Sequence, residues 1–418
     1  MTAVNSRGEE KTSTGRPRRR ALSVLAAAGA CTVILTGVAP AAVAEDAQQK
    51  EWHLDAMQMD KVWEKSTGKG VKVAVIDSGV NKSTPSLRGQ VLPGKDFSGS
   101  AGGVNDDPSG HGTTMSEFVA GTGASGGLKG VAPGAKVIPF KVNLGDVGGD
   151  DQKDRFGEAI RAAADSDAKI ISMSFGGAAP SPAMEEGLKY AQKKGKLLFA
   201  SAGNEAKKGN GSHYPAQYPE AIGVGSTNKA GSVSDYSSNG AQVDLSAPGS
   251  DLPVHCGKDQ KNYCGGDGGT SAATAITSGT AALLWSKHPD WTANQVLRVM
   301  FDTAGRAAKD DKNVSKYIGR GEVRPRINLV EGKGEPGDPA INPLTDKPAG
   351  PAAKDSKNPS GSSQSGADSE KAGAKDKAEL SDSKSESNSR TWIIGGAAAV
   401  AIVVVGGGAI MAVRKKRG

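Results

Sequence analysis

The sequence predicts an α/β protein in which a parallel sheet is flanked by helices. Between residues 45 and 330, short apolar runs alternate with stretches of helical periodicity. One of these runs, Val71–Ile76, has the composition of a buried strand. Strands that alternate with helices are joined by crossovers, which make the strands of the sheet parallel. We therefore expect one large domain over residues 45–330.

The predicted elements follow one another along this domain. Asp154–Asp165 is predicted to be helical because its apolar residues recur at helical spacing. A second helix is predicted over Met184–Lys194, and Gly195 ends it. Thr292 and Gln295 form a capping-box pattern, which predicts the start of a helix that runs through Met300. The predicted strands are Val71–Ile76, Lys136–Phe140, Lys169–Met173, Lys196–Ala200, Ile222–Ser226 and Val243–Ser246.

The net charge of the chain is +7, but the basic residues are concentrated at its two ends. The first 44 residues carry about +4 and residues 414–417 carry about +4, so residues 45–413 are close to neutral. Nucleic-acid-binding proteins usually present a basic patch on the folded domain. The charge distribution therefore argues against DNA or RNA as a partner and indicates targeting and membrane topology instead.

The N-terminus has the pattern of an export signal. Arginines between Arg16 and Arg20 precede an apolar run, which ends at the small-residue pattern Ala42–Ala44. We predict cleavage after Ala44, which gives a signal peptide of residues 1–44. The paired arginines leave twin-arginine export open as an alternative route. Lipidation at Cys31 is a further alternative, but the apolar run continues past this residue.

The C-terminal part is predicted to form a tether. Residues 331–390 are rich in Gly, Pro, Ser and charged residues, so they bury too little surface to offset the entropy of ordering and are predicted to be a disordered linker. Residues 391–413 contain about 22 uncharged residues in a row, enough for a transmembrane helix across a core of roughly 30 Å. The basic tail, residues 414–418, is expected to stay cytoplasmic, which places the large domain outside the cell membrane.

Cys256 and Cys264 are the two cysteines that remain after signal cleavage. An even pair of cysteines in an exported protein favours a disulfide. Two thiols beside His255, without further ligands at zinc spacing, make a poor metal site. We therefore predict a disulfide here and no metal.

The residue types that serine needs for nucleophilic hydrolysis occur in suitable surroundings. A serine hydroxyl is activated by an imidazole that a carboxylate orients. Asp77 directly follows the strand Val71–Ile76, at the carboxyl end where α/β sheets place their sites. His111 lies between two glycines, ahead of a predicted helix. The remaining histidines are predicted to be surface or turn residues: His53, His213, His255 and His288.

Ser271 is the candidate nucleophile. It follows Gly268–Thr270 at the start of an alanine-rich helix that runs to about Lys287. A helix N-terminus supplies free N–H groups and a positive dipole end, which stabilise the oxyanion formed when serine attacks a carbonyl. Asn204, shortly after the strand Lys196–Ala200, is placed to donate its amide to the same oxyanion. The alternatives are an ordinary helix cap at Ser271 and an ordinary turn at Asn204.

Four motifs occur in an order that distinguishes subtilisins from other serine hydrolases. They are Val-Ile-Asp-Ser-Gly at 75–79, Gly-His-Gly-Thr at 110–113, Ser-Ala-Gly-Asn at 201–204 and Gly-Thr-Ser-Ala-Ala at 269–273. Together they resemble the motifs of the subtilisin-like (S8) serine peptidases, over about residues 50–330. The succession of signal peptide, peptidase domain, linker and one membrane span is most similar to the mycosins, the membrane-anchored peptidases of type VII secretion.

The resemblance implies peptide-bond hydrolysis through an acyl-enzyme, with no cofactor. Ser271 would attack the peptide carbonyl and His111 would carry the proton. Asp77 would orient the imidazole, and Asn204 would bind the oxyanion together with the Ser271 N–H.

The resemblance also implies a substrate-binding segment and a bridged cysteine pair. Ser174, Phe175 and Gly176 would offer backbone to an extended protein or peptide substrate and border the S1 pocket, which binds the residue before the scissile bond. Phe175 stands where relatives often have a smaller aliphatic residue, so the preference of this pocket stays open. Structural calcium is common in the family, but no ligand set is identifiable, and Asp106 and Asp107 are equally explained as a solvated loop.

Two functions are compatible with the sequence. The first is a membrane-anchored extracellular serine endopeptidase whose partners are protein or peptide substrates, the membrane and the type VII secretion machinery. The second is a scaffold component of a secretion complex, which keeps the fold but has weak or no catalysis. A fluorophosphonate probe distinguishes them, because it reacts only with an activated serine.

Overall fold

A computed structural model of the protein describes residues 47–146, 150–256, 260, 262–306 and 314–352. The predicted signal peptide and the predicted transmembrane helix lie outside these residues, as does the basic tail. Within the described ranges, no helix is both long enough and apolar enough to cross a membrane.

A seven-stranded parallel sheet forms the centre of the domain. Its order is β2-β3-β1-β4-β5-β6-β7, and every pair of neighbours is parallel. This confirms the predicted α/β class. The strands are β1 (Lys72–Asp77), β2 (Lys95–Asp96), β3 (Lys136–Lys141), β4 (Ile170–Met173), β5 (Leu197–Ser201), β6 (Ile222–Thr227) and β7 (Leu245–Pro248).

Among the described helices, two short ones precede β1, three lie in the connections between strands of the sheet, and three follow β7. The short helices also contribute buried side chains to the core, among them Met59 and Val62. The helix bounds are α1 (Trp52–Ala56), α2 (Met59–Trp63), α3 (His111–Ala120), α4 (Asp150–Asp165), α5 (Pro182–Lys193), α6 (Gly269–Lys287), α7 (Ala293–Thr303) and α8 (Pro325–Leu329).

Element boundaries differ from the prediction by a few residues. Strand β7 begins at Leu245, two residues later than predicted, and helix α4 begins at Asp150 rather than Asp154. The capping box at the start of α7 is confirmed: the Thr292 hydroxyl oxygen accepts a hydrogen bond from the N–H of Gln295, and the side-chain oxygen of Gln295 accepts one from the N–H of Thr292. Local capping chemistry therefore fixes this helix start, whereas strand ends depend on pairing partners far along the chain.

Both faces of the sheet are buried. In β1, the side chains of Val73 and Val75 belong to the core that contains α6 and α7, while Ala74 and Ile76 belong to the core that contains α4 and α5. Successive side chains of a strand point to opposite faces, so a strand covered on both sides is apolar throughout. This explains why Val71–Ile76 has no regular apolar–polar alternation.

Helix α6 is buried along almost its whole length against β4, β5, β6 and β7. Its small residues allow this close packing: a Cβ on Gly279 would lie 2.9 Å from the Cβ of Val131. The first turn of α6 lies at the carboxyl ends of β4 and β5, because Ser271 and Thr270 are hydrogen-bonded to Ser174 and Asn204, which follow these strands.

The folded domain extends past the predicted boundary at residue 330. Residues 341–348 form an antiparallel hairpin of two strands, β10 (Ile341–Asn342) and β11 (Lys347–Pro348). The side-chain amide of Asn294 in α7 donates to the carbonyl oxygens of Pro339 (2.9 Å) and Ala349 (3.0 Å). Residues 331–390 were predicted to be linker because they contain almost no large apolar side chain. Residues 331–352 are held on the domain by side-chain hydrogen bonds to their backbone carbonyls and by Leu344, which packs against the core.

A separate antiparallel hairpin precedes α6. Its strands are β8 (Leu252–Cys256) and β9 (Asn262–Gly266), which are paired through Val254 and Cys264. Cys256 and Cys264 form a disulfide across the two strands, with their Cα atoms 5.8 Å apart.

Candidate active site

Asp77 and His111 form a tight pair at the carboxyl end of β1. Asp77 is the last residue of the strand and is 1% exposed, while His111 is the first residue of α3. The ring Nδ1 of His111 lies 2.7 Å from Oδ1 of Asp77. The same carboxylate oxygen accepts a hydrogen bond from the N–H of Ser78 at 2.7 Å. A carboxylate on Nδ1 leaves Nε2 as the ring nitrogen that can exchange protons with a substrate or nucleophile.

Asp107 fixes the start of the helix that carries His111. Its carboxylate accepts hydrogen bonds from the N–H groups of Gly110 (3.1 Å) and Thr113 (2.8 Å) and from the hydroxyl of Ser78 (2.8 Å). Asp107 is 3% exposed, so its prediction as part of a solvated loop is wrong. A carboxylate that satisfies first-turn N–H groups stabilises a helix start. An acidic residue four positions before a histidine that opens a helix was the available sequence signal.

Two opposing effects set the proton affinity of His111. Burial lowers the pKa of the imidazole, but the charge of Asp77, its hydrogen bond and the charge of Asp107 together raise that pKa above the ordinary value of 6.5. The His111 side chain is 33% exposed to solvent. The site therefore stabilises the imidazolium form, which is the form that accepting a proton from serine produces.

Ser271 is the third residue of α6, so it lies inside the first turn and is not a helix cap. In this structure its hydroxyl donates to the carbonyl of Ser174 at 2.9 Å, and the Ser174 hydroxyl donates to the Ser271 carbonyl at 3.0 Å. Among the described residues, no hydrogen bond joins the Ser271 hydroxyl to His111. Without substrate, catalytic hydrogen bonds are often unmade and form only in the complex.

Asn204 lies beside the same helix turn. Its carbonyl oxygen accepts hydrogen bonds from the N–H and the hydroxyl of Thr270, both at 3.0 Å. The N–H groups of Gly269 and Ala272 are satisfied by backbone carbonyls. The Ser271 N–H has no such partner within the described chain. A free backbone N–H and an amide NH₂ fixed by its own oxygen form a pair of donors of the kind that binds an oxyanion.

A model of the subtilase family (Peptidase_S8) matches residues 68–321. The chain belongs to this family. It is 38% identical over 247 residues to the major intracellular serine protease of Bacillus subtilis, covering 56% of this chain and 74% of that protein. It is also 38% identical over 259 residues to subtilisin from Bacillus pumilus, covering 62% of this chain and 90% of that protein.

Solved structures agree with this assignment. The structure described as the MycP3 protease from the type VII (ESX-3) secretion system has a TM-score of 0.57 and 27% identity, and covers 71% of this chain and 90% of that one. The predicted likeness to the mycosins within the subtilisin-like peptidases is thus supported by fold and by sequence. The chain is a subtilisin-like serine endopeptidase.

The predicted substrate-binding residues of this subtilase follow directly after β4. Ser174 contacts Ser271 through the two hydrogen bonds described above, and Phe175 is buried against Phe156 with ring centroids 4.7 Å apart. Phe175 therefore belongs to the core of the domain. A Cβ on Gly176 would overlap the ring of His213, so close approach of these two segments requires glycine at this position.

Two of the histidines predicted to be surface or turn residues are buried instead. His53 is fully buried, and its ring packs edge-on against Phe118 with centroids 5.8 Å apart. His255 is 8% exposed, and its Nε2 lies 3.0 Å from a carboxylate oxygen of the fully buried Glu117. Tyr263 donates to that same carboxylate at 2.8 Å. These contacts join residues far apart in the sequence, so no local pattern predicted them.

The subtilase site is assembled from side chains of β1, α3 and α6 and the loop after β5. In the described part of the chain, no three His, Cys, Asp or Glu side chains lie close enough together to hold a metal ion. The side chains and backbone at the site supply a hydroxyl, an imidazole, a carboxylate and fixed N–H donors, which together suit acyl transfer.

Proposed function

We propose that this subtilase is a membrane-anchored endopeptidase that cleaves proteins outside the cell membrane, in association with a type VII secretion machinery. The observation that carries the catalytic part is the 2.7 Å contact between His111 Nδ1 and Asp77 Oδ1, next to a helix whose first turn presents a serine and a free N–H. The location and the partner are argued from other features below.

Catalysis proceeds through an acyl-enzyme. The Ser271 hydroxyl turns from the Ser174 carbonyl towards His111 and attacks the peptide carbonyl carbon, while Nε2 of His111 takes its proton. The carbonyl oxygen becomes an oxyanion and is bound by the Ser271 N–H and the Asn204 amide. The imidazolium then gives its proton to the leaving amine as the C–N bond breaks. Water attacks the acyl ester by the same steps and releases the second product.

Export and anchoring are supported by three features. The chain starts with an arginine-rich segment and an apolar run that ends at Ala42–Ala44, and residues 391–413 are uncharged and followed by a basic tail. The disulfide between Cys256 and Cys264 suits an oxidising compartment. Anchoring would restrict this protease to substrates near the membrane.

Association with type VII secretion rests on the likeness to MycP3, whose structure is described as part of such a system. A protease tethered next to a secretion channel would meet exported proteins as they emerge. The chemistry of the site does not depend on this partner, so the two parts of the proposal are tested separately.

Cell fractionation tests the anchor. The full chain is expected in the membrane fraction, and a chain that stops after residue 352 is expected in the medium. A full-length chain found in the medium or the cytosol would contradict anchoring.

Comparison of the exported proteins in cells with the wild-type enzyme and with Ser271→Ala tests catalysis and the role in secretion through two separate readouts, the cleaved products and the amount secreted. Cleaved products that disappear with Ser271→Ala support the protease. Secretion that fails without the chain but is fully restored by Ser271→Ala, with no change in any product, would instead support the scaffold.

A further inference from the structure

The hairpin of β8 and β9 packs against the residues that lead into α3. A Cβ on Gly110 would lie 3.3 Å from both the Cβ of His255 and the Cγ of Gln260. Gly110 directly precedes His111. Gln260 lies between the two strands in sequence, and its side-chain amide donates a hydrogen bond to the carbonyl of Asp107. The hairpin therefore restrains the backbone on which the position of the imidazole depends.

The same hairpin holds the second turn of α3 through a buried carboxylate. One oxygen of Glu117, which is fully buried, accepts a hydrogen bond from the hydroxyl of Tyr263 at 2.8 Å and lies 3.0 Å from Nε2 of His255. Tyr263 and His255 pair across the two strands, and their ring centroids are 4.4 Å apart. In the described part of the chain, the remaining polar partner of this carboxylate is the Thr84 hydroxyl, at 2.9 Å. Two of the three partners thus come from the hairpin.

The position of α3 depends on these contacts. A buried polar group that loses its hydrogen-bonding partners is destabilised, and a charged one more strongly. If the hairpin moved away, α3 would have to shift so that Glu117 could reach water or another donor. His111 opens the same helix, and a misplacement of about 1 Å in an active site can lower the rate by about 100-fold.

The disulfide that closes the hairpin is accessible to solvent. Each half-cystine directly follows one of the two residues that contact Glu117. Cys264 is exposed and Cys256 is half-buried. Exposed disulfides are reduced and exchanged more readily than buried structural ones. A dithiol can therefore reach this bond while the domain stays folded.

We propose that Glu117 is a positioning residue for His111 and that the Cys256–Cys264 disulfide makes this positioning sensitive to reduction. A dithiol supplies two electrons and two protons: the S–S bond breaks, two cysteine thiols form, and the dithiol itself becomes a disulfide. The opened hairpin releases Glu117, α3 shifts and turnover falls, and reoxidation restores it. The inference rests on the proposed peptide hydrolysis at Ser271.

Kinetics before and after reduction test the switch. The purified full chain is assayed on one peptide p-nitroanilide, with and without prior treatment with dithiothreitol. Reduction is expected to lower kcat about tenfold and to change KM by less than about twofold, because proton transfer at His111 depends on the hairpin more than substrate binding does. Reoxidation should restore kcat. The double variant Cys256→Ser/Cys264→Ser should have the kcat of the reduced wild type and should not respond to dithiothreitol.

Tyr263→Phe tests the contact with Glu117 while the disulfide stays intact. It is expected to lower kcat about threefold or more at nearly constant KM, because the carboxylate loses one hydrogen bond. Tyr190→Phe is the matched control. Tyr190 is also half-buried, and its hydroxyl donates to a carboxylate oxygen of Asp165 at 2.7 Å, at the end of α4. This control should keep the wild-type kcat.

Glu117→Gln distinguishes positioning from a general effect of the disulfide on stability. If the effect of reduction reaches His111 through Glu117, the oxidised variant already has a lower kcat, and reduction should lower it further by less than about threefold. A disulfide that only stabilises the domain would give the same loss on reduction in the wild type and in Glu117→Gln.

Three controls decide the outcome: alkylation and mass spectrometry count the thiols, near-UV circular dichroism reports the fold, and a fluorophosphonate reports the nucleophile. An oxidised, folded chain that does not react with the probe contradicts the hydrolytic function itself. A reduced, folded chain that keeps its kcat overturns the switch, as does a reduced chain that loses its fold together with its activity. Wild-type kcat in Tyr263→Phe, or equal losses on reduction in the wild type and Glu117→Gln, overturns the positioning role.

Discussion

The carbonyl oxygen of the Asn204 side chain accepts a hydrogen bond from the N–H of Thr270 at 3.0 Å. This bond decides the orientation of the carboxamide, because the oxygen is the end that faces the helix. The NH₂ group is the end of the carboxamide that does not bind Thr270, which keeps it available for the proposed contact with an oxyanion. The position and the direction of the oxyanion donor are thus both set by the first turn of the helix that carries Ser271.

Asn204→Ala is expected to lower kcat by about 10²–10³-fold with little change in KM, because the donor acts on charge that develops only in the transition state. Asn204→Asp is the matched variant: it keeps an acceptor for Thr270 but replaces the amide donor with a charged oxygen. It should lose at least as much activity. Steady-state kinetics on one peptide substrate measures both variants. An Asn204→Asp variant with near wild-type kcat would contradict the role of Asn204 as an oxyanion donor.

Asp77→Asn is expected to lower kcat by about four orders of magnitude, because the imidazole loses its orienting carboxylate. The pH profile gives a second readout. The reaction needs neutral His111, whose pKa lies above the ordinary 6.5 in the wild type, so the rate should fall as pH decreases through that raised pKa. In the variant, the midpoint of this acid limb should move to lower pH. An unchanged midpoint in the pH dependence of kcat/KM would argue against the pairing.

Asp107→Asn is expected to reduce kcat about tenfold and to shift the same acid limb to lower pH. The carboxylate holds the first turn of α3 and its charge raises the pKa of His111, so its effect reaches the reaction through that histidine. Asp106→Asn is the control, since the Asp106 side chain is 51% exposed. Equal profiles for the two variants would show that Asp107 has no positioning role.

The candidate site residues differ in how well the sequence alone predicts them. Asp77, His111, Asn204 and Ser271 stand in short motifs, each next to a strand end or helix start, so local patterns were enough to propose them as site residues. Asp107 was missed because its partners Ser78 and Thr113 come together only in the fold.

Residues controlled by distant contacts escaped prediction for the same reason. His213 lies in a polar stretch, and only the structure shows its ring between Gly176 and Gly203. Residues 331–352 have the composition of a linker, yet they pack on the domain, where Asn294 binds their carbonyls and Leu344 contacts the core. The composition of a segment shows that it has few apolar residues, but it does not show which distant side chains the segment contacts.

Glu51→Gln is expected to change the pH dependence of stability. Burial, with a smaller contribution from the charge of Glu117, raises the pKa of Glu51 from 4.5 to about 8, against its hydrogen bonds from the Lys129 N–H. Between these two pH values the folded chain holds a proton that the unfolded chain has lost, so the free energy of unfolding falls as pH rises, by up to about 1.4 kcal/mol per pH unit.

Glutamine stays neutral, so the variant should lose this decline and gain stability over the wild type at pH 8 more than at pH 5. Thermal unfolding at the two pH values measures the difference, with Glu64→Gln as the control at an exposed glutamate. Parallel pH profiles for the wild type and Glu51→Gln would contradict the assignment.

Replacing both Cys256 and Cys264 with serine is expected to lower the free energy of unfolding by about 2–3 kcal/mol, the entropy of closing a short loop. The hairpin would also hold His255 and Tyr263 less firmly against Glu117 in α3. Urea unfolding of the wild type with and without a reducing agent provides the comparison. The urea midpoint of the reduced wild type should match that of the double variant. A wild type whose midpoint is the same with and without the reducing agent would show that the disulfide does not stabilise the domain.

Mass spectrometry of the full chain after reaction with a fluorophosphonate tests most directly whether the serine on α6 is an activated nucleophile. We predict a single adduct on the peptide that contains Ser271, formed by the wild type, strongly slowed in His111→Ala and absent in Ser271→Ala. A folded wild-type chain that acquires no adduct, or carries it on another residue, would contradict the account.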